Sequence, residues 1–377
     1  MMENIGLNGD IQTGGKNFHI QTQYLEPSEK IVSNIFENGK VIISKAVEVA
    51  DETPAQDIKK TVNGLHKEIS EELELLFYIS EKVRTIQHAV SNNKLGMVFL
   101  EKNLFDEAIG EFKRALHIDP DFTEVYNNLG YVYIKKNMLN EARNMFIQGI
   151  EKNANYADPH KNLGITYFLL NDFREAIQEL NKAIEINPDY VDALFNLSLV
   201  YLKSIVDDLQ DTTLTPKVER LSQVKNLLIT IIEKDHNFKE QYLNSALELI
   251  DANSFSDAFK ALQNAEPDQV IKNEVECLEN EFYLNFMFGG KGKDDKFVQD
   301  YAKRLQQTTE KYPEYADIRN DLGVAYLIQC RNLFLKGLEE FRNALKINPE
   351  YKRAEKNLKL AENDGKGFLI LLRAILK

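Results

Sequence analysis

Tryptophan is absent from this chain of 377 residues, and cysteine occurs only as Cys277 and Cys330. Two cysteines cannot build a disulfide framework for a chain of this length, so a reducing, cytoplasmic setting is expected. Basic charge is scarce as well: 46 Lys and Arg stand against 59 Asp and Glu, giving a net charge of −13. Nucleic-acid binding needs a basic face, so this balance argues against it. The opening MMENIGLNGDIQTGG has neither the basic start nor the apolar run of a signal peptide. The apolar stretch at residues 368–372 is cut by Arg373 and falls far short of the roughly 20 residues that span a bilayer.

Signs of catalysis are equally thin. None of His19, His66, His88, His117, His160 and His236 pairs with another His or Cys at a metal-ligand spacing. Gly289-Gly290-Lys291-Gly292-Lys293 lacks the residue order of a phosphate-binding loop, and no strand pattern precedes it. Acidic pairs such as Glu71-Glu72 and Asp207-Asp208 read as solvated helix faces and loops. Neither cysteine has a histidine nearby in sequence. No enzyme, no metal and no cofactor are expected.

The chain does have apolar residues, 43% of the total, enough for a sizeable core. Residues 1–16 are polar and are expected to form a flexible lead-in. Over residues 17–52 apolar and β-branched residues partly alternate, and Asn38-Gly39 separates two such runs. Both positions of a type I′ turn need positive φ, so this dipeptide predicts a hairpin within a small antiparallel β-meander. A meander alone buries too little to be stable and should lean on a helix. Thr53-Pro54 predicts that helix over residues 53–88, threonine as N-cap and proline at the first position. Ile58, Val62, Leu65, Ile69, Leu73 and Leu76 recur at spacings of three and four, one face of a long amphipathic helix. Gly64 suggests a bend.

From residue 89 the chain repeats itself. Leu95-Gly96, Leu129-Gly130 and Leu163-Gly164 are 34 residues apart. Phe99, Tyr133 and Tyr167 follow each glycine by three residues, and Ala108, Ala142 and Ala176 by twelve. Pro120 and Pro188 close two of the units. This period predicts a helix–turn–helix solenoid. Glycine and alanine sit where two antiparallel helices touch, and proline after the second helix stops it. These residues resemble the tetratricopeptide-repeat family over about 89–351, in seven units: 89–122, 123–156, 157–190, 191–238, 239–272, 273–315 and 316–351. The fourth has Ser198 in place of glycine and an insertion within IVDDLQDTTLTPKV. The fifth keeps Ala258 and Leu262. In the sixth, FGGKGKDDK lengthens the turn. The seventh recovers Leu322-Gly323, Tyr326, Ala344 and Pro349. The expected fold is thus mostly α, an α-solenoid of antiparallel helix pairs preceded by the β-meander and the long helix. A capping helix over 352–364 and an apolar tail over 365–377 complete it, with Gly365 and Gly367 breaking the helix between them.

The resemblance also implies where a partner would sit. In this family the residue before the repeat leucine faces the concave groove, and here it is Asn128, Asn162 and Asn196, with Asn244 in the fifth unit. Asparagine amides can grip a peptide backbone at both N–H and C=O. Similar ladders bind extended polypeptide in the repeat array of O-linked N-acetylglucosamine transferase, though no glycosyltransferase domain follows here. Tyr131, Ile165, Phe168, Phe195 and Leu199 are expected to form an apolar floor between the asparagines. Lys94 and Lys161 alone match poorly with a clamp for carboxylate tails. The implied function is a non-catalytic scaffold or adaptor for a protein or peptide in an extended or helical form. The rival is a targeting or regulatory subunit of an enzyme, such as a glycosyltransferase partner, or of a secretion or assembly machine. Membrane contact is allowed only through residues 368–377, and self-association is allowed through the same tail.

Overall fold

A computed structural model describes residues 5–50, 53–207, 214–234, 239–265, 270–290, 294–311 and 316–375. The middle of the fourth unit's insertion, residues 208–213, and residues 291–293 of the glycine-rich turn lie outside the described residues, as do the side chains of the tail from 368 onward. Among the described residues there are four strands and fifteen α-helices. The chain divides into two compact units, residues 1–86 with 272–377, and residues 87–271.

The sheet begins earlier than the sequence suggested. Strand β1 spans Gly6–Thr13, followed by β2 (Lys16–Leu25), β3 (Lys30–Glu37) and β4 (Lys40–Glu48). They form an antiparallel meander in the order β1-β2-β3-β4. Residues 6–13 are therefore a strand and not a flexible lead-in. Their side chains are mostly polar, but pairing with β2 satisfies the backbone whatever the side chains. Gly14 and Gly15, at φ 60° and 75°, make the turn that reverses the chain. Asn38 and Gly39, at φ 50° and 77°, make the expected one between β3 and β4.

Helix α1 (Ala55–Arg84) lies across the inner face of this sheet, touching β1, β2 and β3. All six residues of the anticipated stripe are buried. Ile58, Val62 and Leu65 pack with Ile31, and Phe77 meets Phe18 at a ring separation of 5.6 Å. Thr53 does not cap the helix. Its hydroxyl donates back to Ala50 O over 2.6 Å, and Pro54 occupies the N-cap. Gly64 is exposed and α1 runs through it unbroken.

The unit at residues 87–271 holds five helix pairs. They are α2 (Ala89–Glu101) with α3 (Phe105–Ile118), α4 (Thr123–Lys135) with α5 (Leu139–Lys152), and α6 (Ala157–Leu169) with α7 (Phe173–Ile186). Then follow α8 (Val191–Val206) with α9 (Lys217–Lys234), and α10 (Glu240–Asp251) with α11 (Phe255–Ala265). The glycines act as their spacing implied. A Cβ on Gly96 would fall 2.5 Å from the Phe112 ring, one on Gly130 2.5 Å from Phe146, and one on Gly164 2.7 Å from Leu180. Ala108, Ala142 and Ala176 are fully buried in the same contacts.

Each tight reversal turns on an asparagine in the left-handed region: Asn103, Asn137, Asn171 and Asn253, at φ 54° to 65°. The next residue's N–H then reaches five residues back, as in Leu104 to Phe99 O (2.9 Å), Met138 to Tyr133 O (2.8 Å) and Asp172 to Tyr167 O (2.8 Å). This is the Schellman closure of a helix end. At the far end of the pairs, Asp119, Asn153 and Asn187 accept from the N–H two residues on, each at 3.1 Å, and so stop the second helices.

In the remaining C-terminal part, α12 (Val270–Met287) and α13 (Asp295–Lys311) form a sixth pair, with Phe282 stacked on Tyr301 at 3.7 Å. The seventh unit departs from expectation. Helix α14 runs unbroken over Ala316–Ile347, so Leu322, Gly323 and Tyr326 do not meet a second helix of their own unit. Gly323 has open space around it, and Tyr326 is 48% exposed. Asn332, which stands in the place of Asn103 by its spacing to Phe341 and Pro349, lies nine residues past Gly323 where the regular units have seven, so the glycine and the turn are out of step. Pro349 keeps its expected place after the helix. The capping helix α15 (Lys352–Ile375) also continues through Gly365 and Gly367. Each costs about 1 kcal/mol relative to alanine, an amount that surrounding Leu, Ala, Lys and Glu can offset.

Candidate functional site

The first helices α2, α4, α6 and α8 touch in succession, and the expected partner-binding residues lie on α4, α6 and α8, except Asn244, which is on α10. Asn128 on α4 donates to Asn93 Oδ1 on α2 over 3.0 Å. Asn162 on α6 donates to Asn127 Oδ1 on α4 over 2.8 Å. Asn93 in turn donates to Glu124 Oε1 at 2.8 Å. The asparagines therefore stitch one repeat to the next, each spending an N–H on its neighbour. Asn162 is only 6% exposed. Asn196 is half-buried and donates to Asp192 O of its own helix over 2.7 Å. Asn244 is exposed, 3.4 Å from Glu240 Oε1.

The apolar residues divide similarly. Tyr131, Ile165, Phe168 and Leu199 are half-buried and keep part of their surface in water. Lys135 Nζ stands 5.0 Å from the Tyr131 ring, and Phe168 meets Phe173 edge-on at 5.8 Å. Phe195 is 2% exposed and belongs to the core that runs from α7 to α11, not to an accessible wall. Leu169, beside Phe168, is 48% exposed and went unremarked in the sequence because it falls off the repeat framework.

Two polar joints hold these helices in place. Tyr190 donates its hydroxyl to Asp158 Oδ1 on α6, while Lys161 Nζ sits 5.3 Å from its ring. Burial first, then the Asp158 carboxylate, push the Tyr190 hydroxyl well above its ordinary range, so it stays a donor. His160, buried on α6, pairs with Glu179 of α7 at 2.7 Å, and Lys182 reaches the other carboxylate oxygen at 2.7 Å. Burial works to raise the Glu179 carboxyl, and the hydrogen bonds from His160 and Lys182 outweigh it, so its pKa is lowered. These groups are consumed in fixing the joint. The accessible part of the face offers apolar and aromatic surface with amides at its edge.

Among the described residues no helix is long and apolar enough to cross a membrane. The family model described as TPR repeat matches residues 96–137 and 166–204, and that described as tetratricopeptide repeat matches 123–156. No curated protein matches the chain. Among solved structures, MamA is 23% identical, with 48% of this chain and 95% of that one covered and a TM-score of 0.34. YrrB, described as a TPR protein with an unusual peptide-binding site, is 20% identical over 54% of this chain and 97% of its own, with a TM-score of 0.36. PilF of Pseudomonas aeruginosa is 18% identical over 61% and 95%, with a TM-score of 0.36. With their glycines at a fixed 34-residue offset and their paired helices, residues 96–156 and 166–204 of this chain carry tetratricopeptide repeats.

Proposed function

We propose that the chain is a non-catalytic scaffold that holds an extended or helical polypeptide segment on the first-helix face of α4, α6 and α8. One observation carries this reading. Tyr131, Ile165, Phe168 and Leu199 stay half-exposed on helices whose mutual spacing is fixed by the Asn128–Asn93 and Asn162–Asn127 bonds. A rigid, partly apolar face loses little entropy on binding, which favours affinity. Asn196 on α8, which is not tied to a neighbouring repeat, supplies a polar grip on the ligand backbone, and Asn244 on α10 extends it into the fifth unit.

Capture of partners by the full-length chain, identified by mass spectrometry and compared with a Tyr131→Ala/Leu199→Asp variant, tests the proposal. Partners retained by the parent and lost by the variant are expected. A set of partners unchanged by the variant would overturn the assignment of this face.

A further inference from the structure

Helix α14 is written as two helices and folds as one. Asn332, Leu333, Phe334, Phe341, Ala344 and Pro349 stand in the same order and spacing as Asn103, Leu104, Phe105, Phe112, Ala115 and Pro120, with Gly337 in the place of Ala108. In the first unit these residues make the turn and the second helix of the pair. Leu104 is 1% exposed, and Phe112 closes on Gly96. In α14 the corresponding Leu333 is 66% exposed, and neither Gly323 nor Gly337 has any atom near where a Cβ would stand. Gly323, Tyr326, Cys330 and Leu333 follow at spacings of three, four and three and so share one face of the helix. Tyr326, Cys330 and Leu333 are exposed along it.

The complement of that face is encoded in the same chain but cannot reach it. Gly323 and Phe341 are 18 residues apart in sequence, and a straight helix holds such a pair about 27 Å apart. The first half of α14 is seated on α13 through Val298 O and Gln329, and the second half on α15 through Arg342 and Glu362. Each half keeps these partners whether or not the two halves meet.

We propose that two copies of this chain exchange second helices through α14. The two α14 helices run antiparallel, so that each Gly323 receives Phe341 of the other copy. A two-fold exchange satisfies both glycine faces and leaves no open end, so the assembly stops at a dimer. The Gly323-to-Phe341 register puts its midpoint at Asn332. Cys330, two residues from the midpoint and on the shared face, therefore approaches Cys330 of the other copy, about 6 Å away along the axis.

Light scattering of the full chain over a range of micromolar concentrations tests this. A dimer mass is expected. Gly323→Leu fills open space in the single helix, so its circular dichroism should match the parent while the mass falls to that of a monomer. Leu333→Asp should give the same loss if the first variant fails to fold. In a Cys277→Ser background, which leaves Cys330 as the remaining cysteine, a short bismaleimide should link two copies. A parent that is monomeric throughout, or a dimer that survives both variants without linking at Cys330, overturns the proposal.

Discussion

Asn162 on α6 donates its amide to Asn127 Oδ1 on α4 over 2.8 Å, and Asn128 repeats the bond to Asn93 on α2 one unit earlier. The offset of 35 residues is one repeat plus one, so the same residue type recurs at the seam between helices and holds them at a constant spacing.

Removing these amides separates scaffold from grip. Asn128→Ala and Asn162→Ala should each destabilise the array by roughly 0.5–1.5 kcal/mol, the net worth of a hydrogen bond. Asn196→Ala touches only its own helix and should leave the melting temperature unchanged while weakening capture of partners. Thermal melts and binding measurements on the three variants check this. A fall in melting temperature for Asn196→Ala equal to the others would contradict it.

The glycines give a second contrast. Gly130→Ala puts a methyl 2.5 Å from the Phe146 ring and should cost about 1–3 kcal/mol, as overpacking does. Gly64→Ala on α1 meets nothing within 4 Å and should stabilise that helix by about 1 kcal/mol. Denaturant melts of the two variants should move in opposite directions.

The attachment of the sheet rests on Phe77, packed on Phe18. Phe77→Ala should cost about 3–5 kcal/mol, as large-to-small core changes do, and release the meander from α1. Limited proteolysis should then cut at Asn38-Gly39 in the variant and spare it in the parent. Equal cutting in both would show that the sheet does not depend on this contact.

His66 couples the same module to pH. Its Nδ1 lies 3.0 Å from Thr22 Oγ1, and burial first, then the nearby His19, lower its pKa from 6.5. The unfolded chain binds this proton more readily than the folded one. Its contribution to stability is therefore complete above 6.5 and is lost as pH falls towards the lowered value. Melts from neutral into mildly acidic solution should show the loss, and His66→Gln should flatten it. A parent and variant with the same slope would rule out His66 as its source.

Local patterns determined much of this protein before any contact was known. The 34-residue period, the glycines that admit Phe112 and Phe146, and the stripe from Ile58 to Leu76 are properties of spacing, because helix geometry converts sequence offset directly into a shared face. The Asn103, Asn137 and Asn171 turns recur at the same offset. Strand β1 was hidden because polar side chains carry no alternation and its stability comes from the backbone of β2. Only the tertiary structure decided what each asparagine does. Asn162 and Asn196 hold the same repeat position, yet one bonds across to α4 and the other to its own helix, since that choice depends on which acceptor the neighbouring repeat presents. It also decided that α14 runs unbroken. The sequence of residues 316–347 encodes both halves of a pair, but whether they fold back depends on the long-range contact between Gly323 and Phe341, and no local signal fixes a contact of that kind.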